Sequence, residues 1–150
     1  MTSSQLVVCV GDALVDLIAT VERLPARGGA VWSPPLRRLA GEGELRALGL
    51  SPAAGQLYAV KRGERGARLQ GPQGSYADAP AHPTQAVDAT GAGDAFDAAF
   101  IAAHLRGYPD ERALRFANAA AALSVTQPGA RAMPSWAAAD QLASTGRPAR

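Results

Sequence analysis

Apolar positions follow two different patterns along the chain. In the first part they come in short continuous runs. Leu6-Val7-Val8-Cys9-Val10 is largely β-branched and ends at Gly11, which predicts a buried strand of a parallel sheet. Residues 13–21 form a second strand-like run, interrupted by Asp16. An aspartate inside such a run either caps a turn or faces a polar site. Residues 22–43 contain Pro25, Gly28, Gly29, Pro34, Pro35, Gly41 and Gly43, a density that predicts no regular structure. A short helix is expected over 44–48, stopped by Gly49 and Pro52. Strands over 57–61, 67–70 and 75–79 alternate with Gly63, Gly66 and the turn Gly71-Pro72-Gln73-Gly74, a hairpin or meander signal.

From residue 94 the pattern becomes helical. Residues 94–106 are apolar on nearly every side, which predicts a central helix. Gly107 ends it. Pro109-Asp110-Glu111 opens a second helix, with proline early and acids in the first turn, running to about Ser124. Pro128-Gly129 stops the chain again. Pro134-Ser135-Trp136 opens a last short helix, and fraying is expected from Ser144. No internal repeat is visible.

Length and composition narrow this picture. The 150 residues fit one domain with a real core. Apolar residues are 47% and aromatics only 5%, so the core must rely on small side chains in close contact. Fifteen basic and 13 acidic residues are too balanced to imply nucleic acid. The densest basic run, residues 61–68, has no interleaved aromatics and reads as a solvated turn. Lys61 is the only lysine; the other basic residues are arginines. Cys9 is the only cysteine, so no internal disulfide forms, and it reads as a small core residue. No basic n-region precedes the first apolar run, and no uncharged stretch is long enough to span a bilayer. A cytoplasmic location without membrane partners is expected. His82 and His104 have no ligand-like spacing, and no protein metal cluster is indicated.

The chemistry concentrates in Asp88-Ala89-Thr90-Gly91-Ala92-Gly93-Asp94. Glycines let consecutive amides turn toward one point, and the first amides of a helix have no internal acceptor. Together they form an anion hole at a positive helix end, where a phosphate fits. Asp94 follows at once. It either caps the helix or, within reach of a hydroxyl, accepts its proton during phosphoryl transfer. A dinucleotide-binding reading fails, because no Gly-x-Gly-x-x-Gly follows the first strand.

The string from Asp88 to Phe96 resembles the C-terminal signature of the ribokinase-like (pfkB) carbohydrate kinase family, Asp-Thr-x-Gly-Ala-Gly-Asp-x-Phe followed by a central helix. Ala89 stands where threonine is common, Ala99 replaces a usual glycine, and Asp97 is an unusual polar insertion. The resemblance implies an α/β fold, ribokinase-like, with a parallel-type sheet flanked by helices. It implies ATP-dependent phosphoryl transfer to a hydroxyl of a sugar or nucleoside, with ATP and Mg²⁺ and a monovalent cation such as K⁺. Asp94 would be the catalytic base, and Gly91, Ala92 and Gly93 the anion hole. Asp88 and Thr90 would serve the nucleotide or the cation. Residues 60–67, with Gly63 and Gly66, resemble the strand and turn flanking the nucleotide. Residues 111–130, with Asn118, resemble the helices closing the adenine side. Residues 6–18 look like the family's opening strand, with Asp16 and Asp12 as sugar-binding candidates, and residues 24–32 look like a lid segment.

Family members are about twice this length, so the fold is expected to be incomplete. The expected organisation is one partial kinase domain over 1–150. Residues 1–32 hold the N-terminal strand and lid segment, 33–56 the junction, and 57–150 the nucleotide-binding part. The double-glycine sugar motif is missing, since Gly28-Gly29 comes too early. A relic of the magnesium-associated Asn-x-x-Glu motif lies at residues 41–44, where Glu44 is either the metal-linked glutamate or a plain surface residue. Two outcomes follow: a kinase of reduced activity, or a non-catalytic nucleotide-binding or subunit-pairing remnant. Exposed edges and apolar helix faces left by missing strands favour either association, as in a homodimer, or instability.

Overall fold

The computed structural model describes residues 6–10, 15–21, 37–54, 56–129 and 131–146, with side chains from Leu39 onward, Glu44 excepted. The elements are β1 (Leu6–Val10), β2 (Val15–Val21), β3 (Arg37–Gly41), α1 (Glu42–Ala47), β4 (Leu57–Lys61), a 3₁₀ turn (Gly63–Arg65), β5 (Ala67–Gly71), β6 (Gly74–Ala79), α2 (Ala92–Leu105), α3 (Asp110–Ser124) and α4 (Trp136–Thr145). The strands follow one another in sheet order from β1 to β6. Strands and helices thus combine in the expected α/β class.

Orientation is where the sheet departs from expectation. β1 pairs antiparallel with β2, Leu6 opposite Val21 and Val10 opposite Leu17, not as a parallel strand. The reason is the connection: residues 11–14 are too few for the crossover that a parallel pair requires. β3 lies in a stretch expected to be irregular. Arg37-Arg38-Leu39-Ala40-Gly41 has no β-branched run, yet it pairs antiparallel with β2, Val15 opposite Ala40. Strand pairing, rather than intrinsic propensity, makes it a strand. The connections at 62–66 and 72–73 are likewise short, consistent with the predicted meander.

Two compact units are defined by internal contacts, Met1–Val60 with Leu69–Tyr76, and Lys61–Arg68 with Ala77–Arg150. The first contains a core of Ala40, Leu45, Tyr58 and Val60, against which Leu50 packs. α1 starts two residues before the expected helix and ends at Ala47; beyond it Gly49, at φ 61°, lets Leu50 N–H turn back to Leu45 O at 2.9 Å. Tyr58 is fully buried, and its hydroxyl donates to Ser51 O at 3.2 Å.

The second unit is helical. α2 packs on α3, and α3 on α4. Ala95, Ala99 and Ala103 recur every four residues on the buried side of α2, while Ala113, Ala117 and Ala120 are buried on α3. Small side chains let helix axes approach closely, as the low aromatic content requires. Of the aromatics present, Tyr108, Phe116 and Trp136 form one cluster, with Phe116 and Trp136 centroids 4.2 Å apart. Arg106 and Arg112 stack on its Trp136 and Tyr108 rings. α4 has the expected start, Ser135 Oγ accepting from Ala138 N–H at 3.2 Å. It runs past Ser144 to Thr145, because Gly146 at φ 69° closes it through a bond to Leu142 O. α2 is not buried all round: Ala98 and Leu105 are exposed, whereas Asp97 is buried.

Candidate functional site

The turn before α2 is built by one carboxylate. Asp88 Oδ1 accepts from Thr90 N–H at 2.9 Å, and Asp88 Oδ2 accepts from Gly129 N–H at 2.9 Å. Val87 and Asp88 amides both donate to Val125 O, at 2.7 and 3.1 Å. The turn is therefore fastened to the loop after α3 at several points. The Thr90 hydroxyl, then the Thr90 and Gly129 amides, hold the Asp88 carboxyl down at about 2, from 3.8. Sequence reading placed Asp88 at a nucleotide or cation; the structure gives it this shaping task within the chain.

Gly91 is the N-cap of α2 and adopts φ 80°, ψ 3°, the left-handed conformation that glycine tolerates. Ala92 N–H turns back to Ala89 O at 3.2 Å, and Ala95 N–H makes the first helical bond, to Gly91 O at 2.9 Å. The amides of Gly93 and Asp94 lie between these two and have no acceptor inside the helix. α2 thus begins at Ala92, two residues earlier than expected, so of the predicted trio Gly91 is the cap, Ala92 N–H is bonded within the turn and Gly93 lies in the first turn of the helix. Asp94 stands in the first turn, exposed, and the N-cap position is occupied by Gly91. A carboxylate at that place is favoured by the helix dipole and is open to a hydroxyl.

The other predicted residues sort differently. Gly63 is exposed at φ 58° and opens the 3₁₀ turn, which Arg62 N–H and Gly66 O close at 2.8 Å. Gly66 is buried at φ 82°; a Cβ there would lie 2.1 Å from Ala79 O and 2.5 Å from Ala81 N. It is glycine because the backbone of residues 79–81 crosses it. Asn118 is 7% exposed and donates from Nδ2 to Ala79 O and Pro80 O, each at 3.0 Å. Gly66 and Asn118 are therefore brought together on the same short segment. Asp12 lies outside the described residues. Asp16 sits in β2 opposite Leu39, and Glu44 in α1, their side chains outside the described set. Among the described residues no cluster of three or more His, Cys, Asp or Glu could hold a metal.

Two features escaped the sequence reading. The basic run turns in the open at residues 63–65, but its flanks are paired: Arg62 and Arg68 both pair with Asp78, at 2.7 and 3.0 Å, and Lys61 Nζ pairs with Asp97 Oδ2 at 2.6 Å. The signal was present, since an aspartate inside an apolar helix requires a cation from elsewhere. His82 is the second. Burial pushes its imidazole below 6.5, opposed by a hydrogen bond to the Arg115 backbone.

A family model described as pfkB family carbohydrate kinase matches residues 36–137, more than half of the chain. The segment carrying Asp12 and Asp16 lies outside that match. An ATP-dependent ribose-1-phosphate kinase of Halopiger xanaduensis is 48% identical over 79 residues, which are 53% of this chain and 26% of that relative. Ribokinase of Arabidopsis thaliana, solved with ribose and ATP, superposes with a TM-score of 0.62 and 33% identity over 70% of this chain and 39% of that one. A candidate ribokinase II from E. coli, solved with ATP and Mg²⁺, gives a TM-score of 0.60 and 32% identity over 69% of this chain and 37% of that one. The chain spans well under half the length of these relatives. Among the described residues no helix is long and apolar enough to cross a membrane.

Proposed function

Since the chain belongs to the pfkB family of carbohydrate kinases, we propose that it carries out ATP-dependent phosphoryl transfer to a hydroxyl of a sugar or nucleoside, in the cytoplasm. The observation that carries this reading is the exposed Asp94 carboxylate in the first turn of α2, next to the amides of Gly93 and of Asp94 itself. In the proposed step the acceptor hydroxyl oxygen bonds to the γ-phosphorus and the bond to the β-phosphate oxygen breaks. ADP leaves with that electron pair, and Asp94 takes the hydroxyl proton. The first-turn amides stabilise the charge on the phosphoryl oxygens. Asp88 and Thr90 hold the turn in shape and, with a monovalent cation such as K⁺, set its field. Gly63 borders the nucleotide, while Gly66 and Asn118 shape its border through residues 79–81. Asp16 and Asp12 are the proposed hydroxyl ligands of the sugar, and Glu44 a weak candidate near Mg²⁺. The whole is one partial kinase domain.

The test is phosphoryl transfer from Mg·ATP to a panel of sugars and nucleosides, with Asp94→Asn as control. Turnover that the substitution leaves unchanged removes Asp94 as the base. A second reading is favoured by the short span relative to the relatives, 26% of the curated kinase. Here the chain binds nucleotide, or pairs with a second copy or another subunit, without turnover. Positioning of the acceptor supplies roughly 7–11 kcal/mol of barrier reduction, so a partial sugar site lowers the rate by orders of magnitude. Calorimetry with Mg·ATP separates the two: binding without turnover supports the second, and absence of binding removes both.

A further inference from the structure

Asp97 is 6% exposed on a helix face otherwise lined by alanine and phenylalanine. Gly93 and Asp97 are four residues apart, so they share one face of α2. Lys61, the last residue of β4, reaches that face: Nζ is 2.6 Å from Asp97 Oδ2 and 3.5 Å from where a Gly93 Cβ would stand. The carboxylate is enclosed, but a quarter of the lysine side chain, 24%, remains accessible. An ammonium has three donors, and Asp97 Oδ2 takes one of them. The ammonium therefore sits close to Gly93 at the amino end of α2, on a side chain that is partly accessible.

We infer that Lys61 is a phosphate-binding residue of this centre and that Asp97 is the positioning residue that holds it there. The inference rests on the reading of the centre as an ATP site. A lysine is suited to the task because its compact charge can be shared between a fixed carboxylate and a phosphate oxygen. The proposed ligand of Nζ is an oxygen of the terminal phosphates, the same group that the Gly93 and Asp94 amides receive. Asp97 keeps the side chain from swinging into solvent, and Gly93 carries no side chain that would cover the ammonium.

Lys61 is the only lysine in the chain, so amine modification reads it directly. The intact protein is treated with N-hydroxysuccinimidyl acetate, alone, with Mg·ATP, and with adenosine at matched occupancy, and peptides are resolved by mass spectrometry. Mg·ATP is expected to slow acetylation of Lys61 severalfold, adenosine to leave it unchanged, and neither to alter the α-amino group. Calorimetry on the double variant Lys61→Met/Asp97→Leu, which strands no charge, is expected to show Mg·ATP binding weaker by about tenfold or more. Adenosine affinity should stay within about twofold, which a merely structural pair would not separate from ATP. If wild type binds Mg·ATP while Lys61 acetylation is unchanged, or the folded double variant binds it normally, the lysine assignment is overturned and the site reading survives. If wild type does not bind Mg·ATP, the site reading falls and the lysine assignment with it.

Discussion

The glycine-containing turns at residues 63–66 and 88–93 use glycine for opposite ends. In the first, Gly66 is closed over: the backbone of residues 79–81 crosses it, and Asn118 fastens that same segment from α3. In the second, Gly91 bends the chain so that first-turn amides stay open, and the fastening is done from behind by Asp88. One turn is a packing joint and the other a presenting loop. A glycine pair beside a strand or helix is therefore not in itself a binding feature. What separates the two cases is which side of the backbone the rest of the chain covers. Lys61 joins them, starting at the edge of the first turn and ending at the mouth of the second.

The comparison can be broken most sharply at Asp94. If the second turn presents a phosphate to a base, Asp94→Asn lowers kcat by about 10²–10⁴-fold. Its unfolding free energy should stay within about 0.5 kcal/mol, because the side chain is exposed. Urea titration alongside the kinase assay checks both. Next in size is Gly66→Ala, expected to cost about 3 kcal/mol or more, through collision with Ala79 O and a positive φ. Gly93→Ala is the matched control. Its Cβ would meet Lys61 Nζ at an ordinary 3.5 Å, so stability should hold or rise by up to about 1 kcal/mol. Equal losses at the two glycines would erase the distinction. Asn118→Ala leaves Ala79 O and Pro80 O without their donor and should cost about 1–3 kcal/mol by the same titration.

The smallest effect concerns acid. Asp88 titrates at about 2 in the folded chain against 3.8 unfolded, so the unfolded chain binds more protons between these values. Its contribution to stability is complete above the unfolded value and is lost as pH falls from about 3.8 through about 2. Urea midpoints across that window should fall with pH for wild type and less steeply for Asp88→Asn, the two curves converging near pH 2. Parallel curves would mean that Asp88 does not fasten the presenting loop.

Much of this was legible from local pattern. β4 spans residues 57–61 as expected, α3 ends at Ser124, and α4 begins after Ser135, because strand runs, proline starts and capping serines act over a few residues. Arg37–Gly41 was not legible, since its strand state comes from β2. The Asp88–Phe96 string marked the presenting loop, but not that Asp88 also reaches Gly129. Asp97 looked out of place in an apolar helix, and its partner lies 36 residues earlier in a run that reads as solvated.

By itself, then, the sequence determined where the chain turns, which segments are helical, and the family whose signature the second turn carries. These depend on neighbours within one or two turns of backbone. Only the tertiary structure decided which glycine is covered, which way β1 runs against β2, and where the single lysine points. Each of those is set by contacts between distant residues, where burial and pairing outweigh local preference.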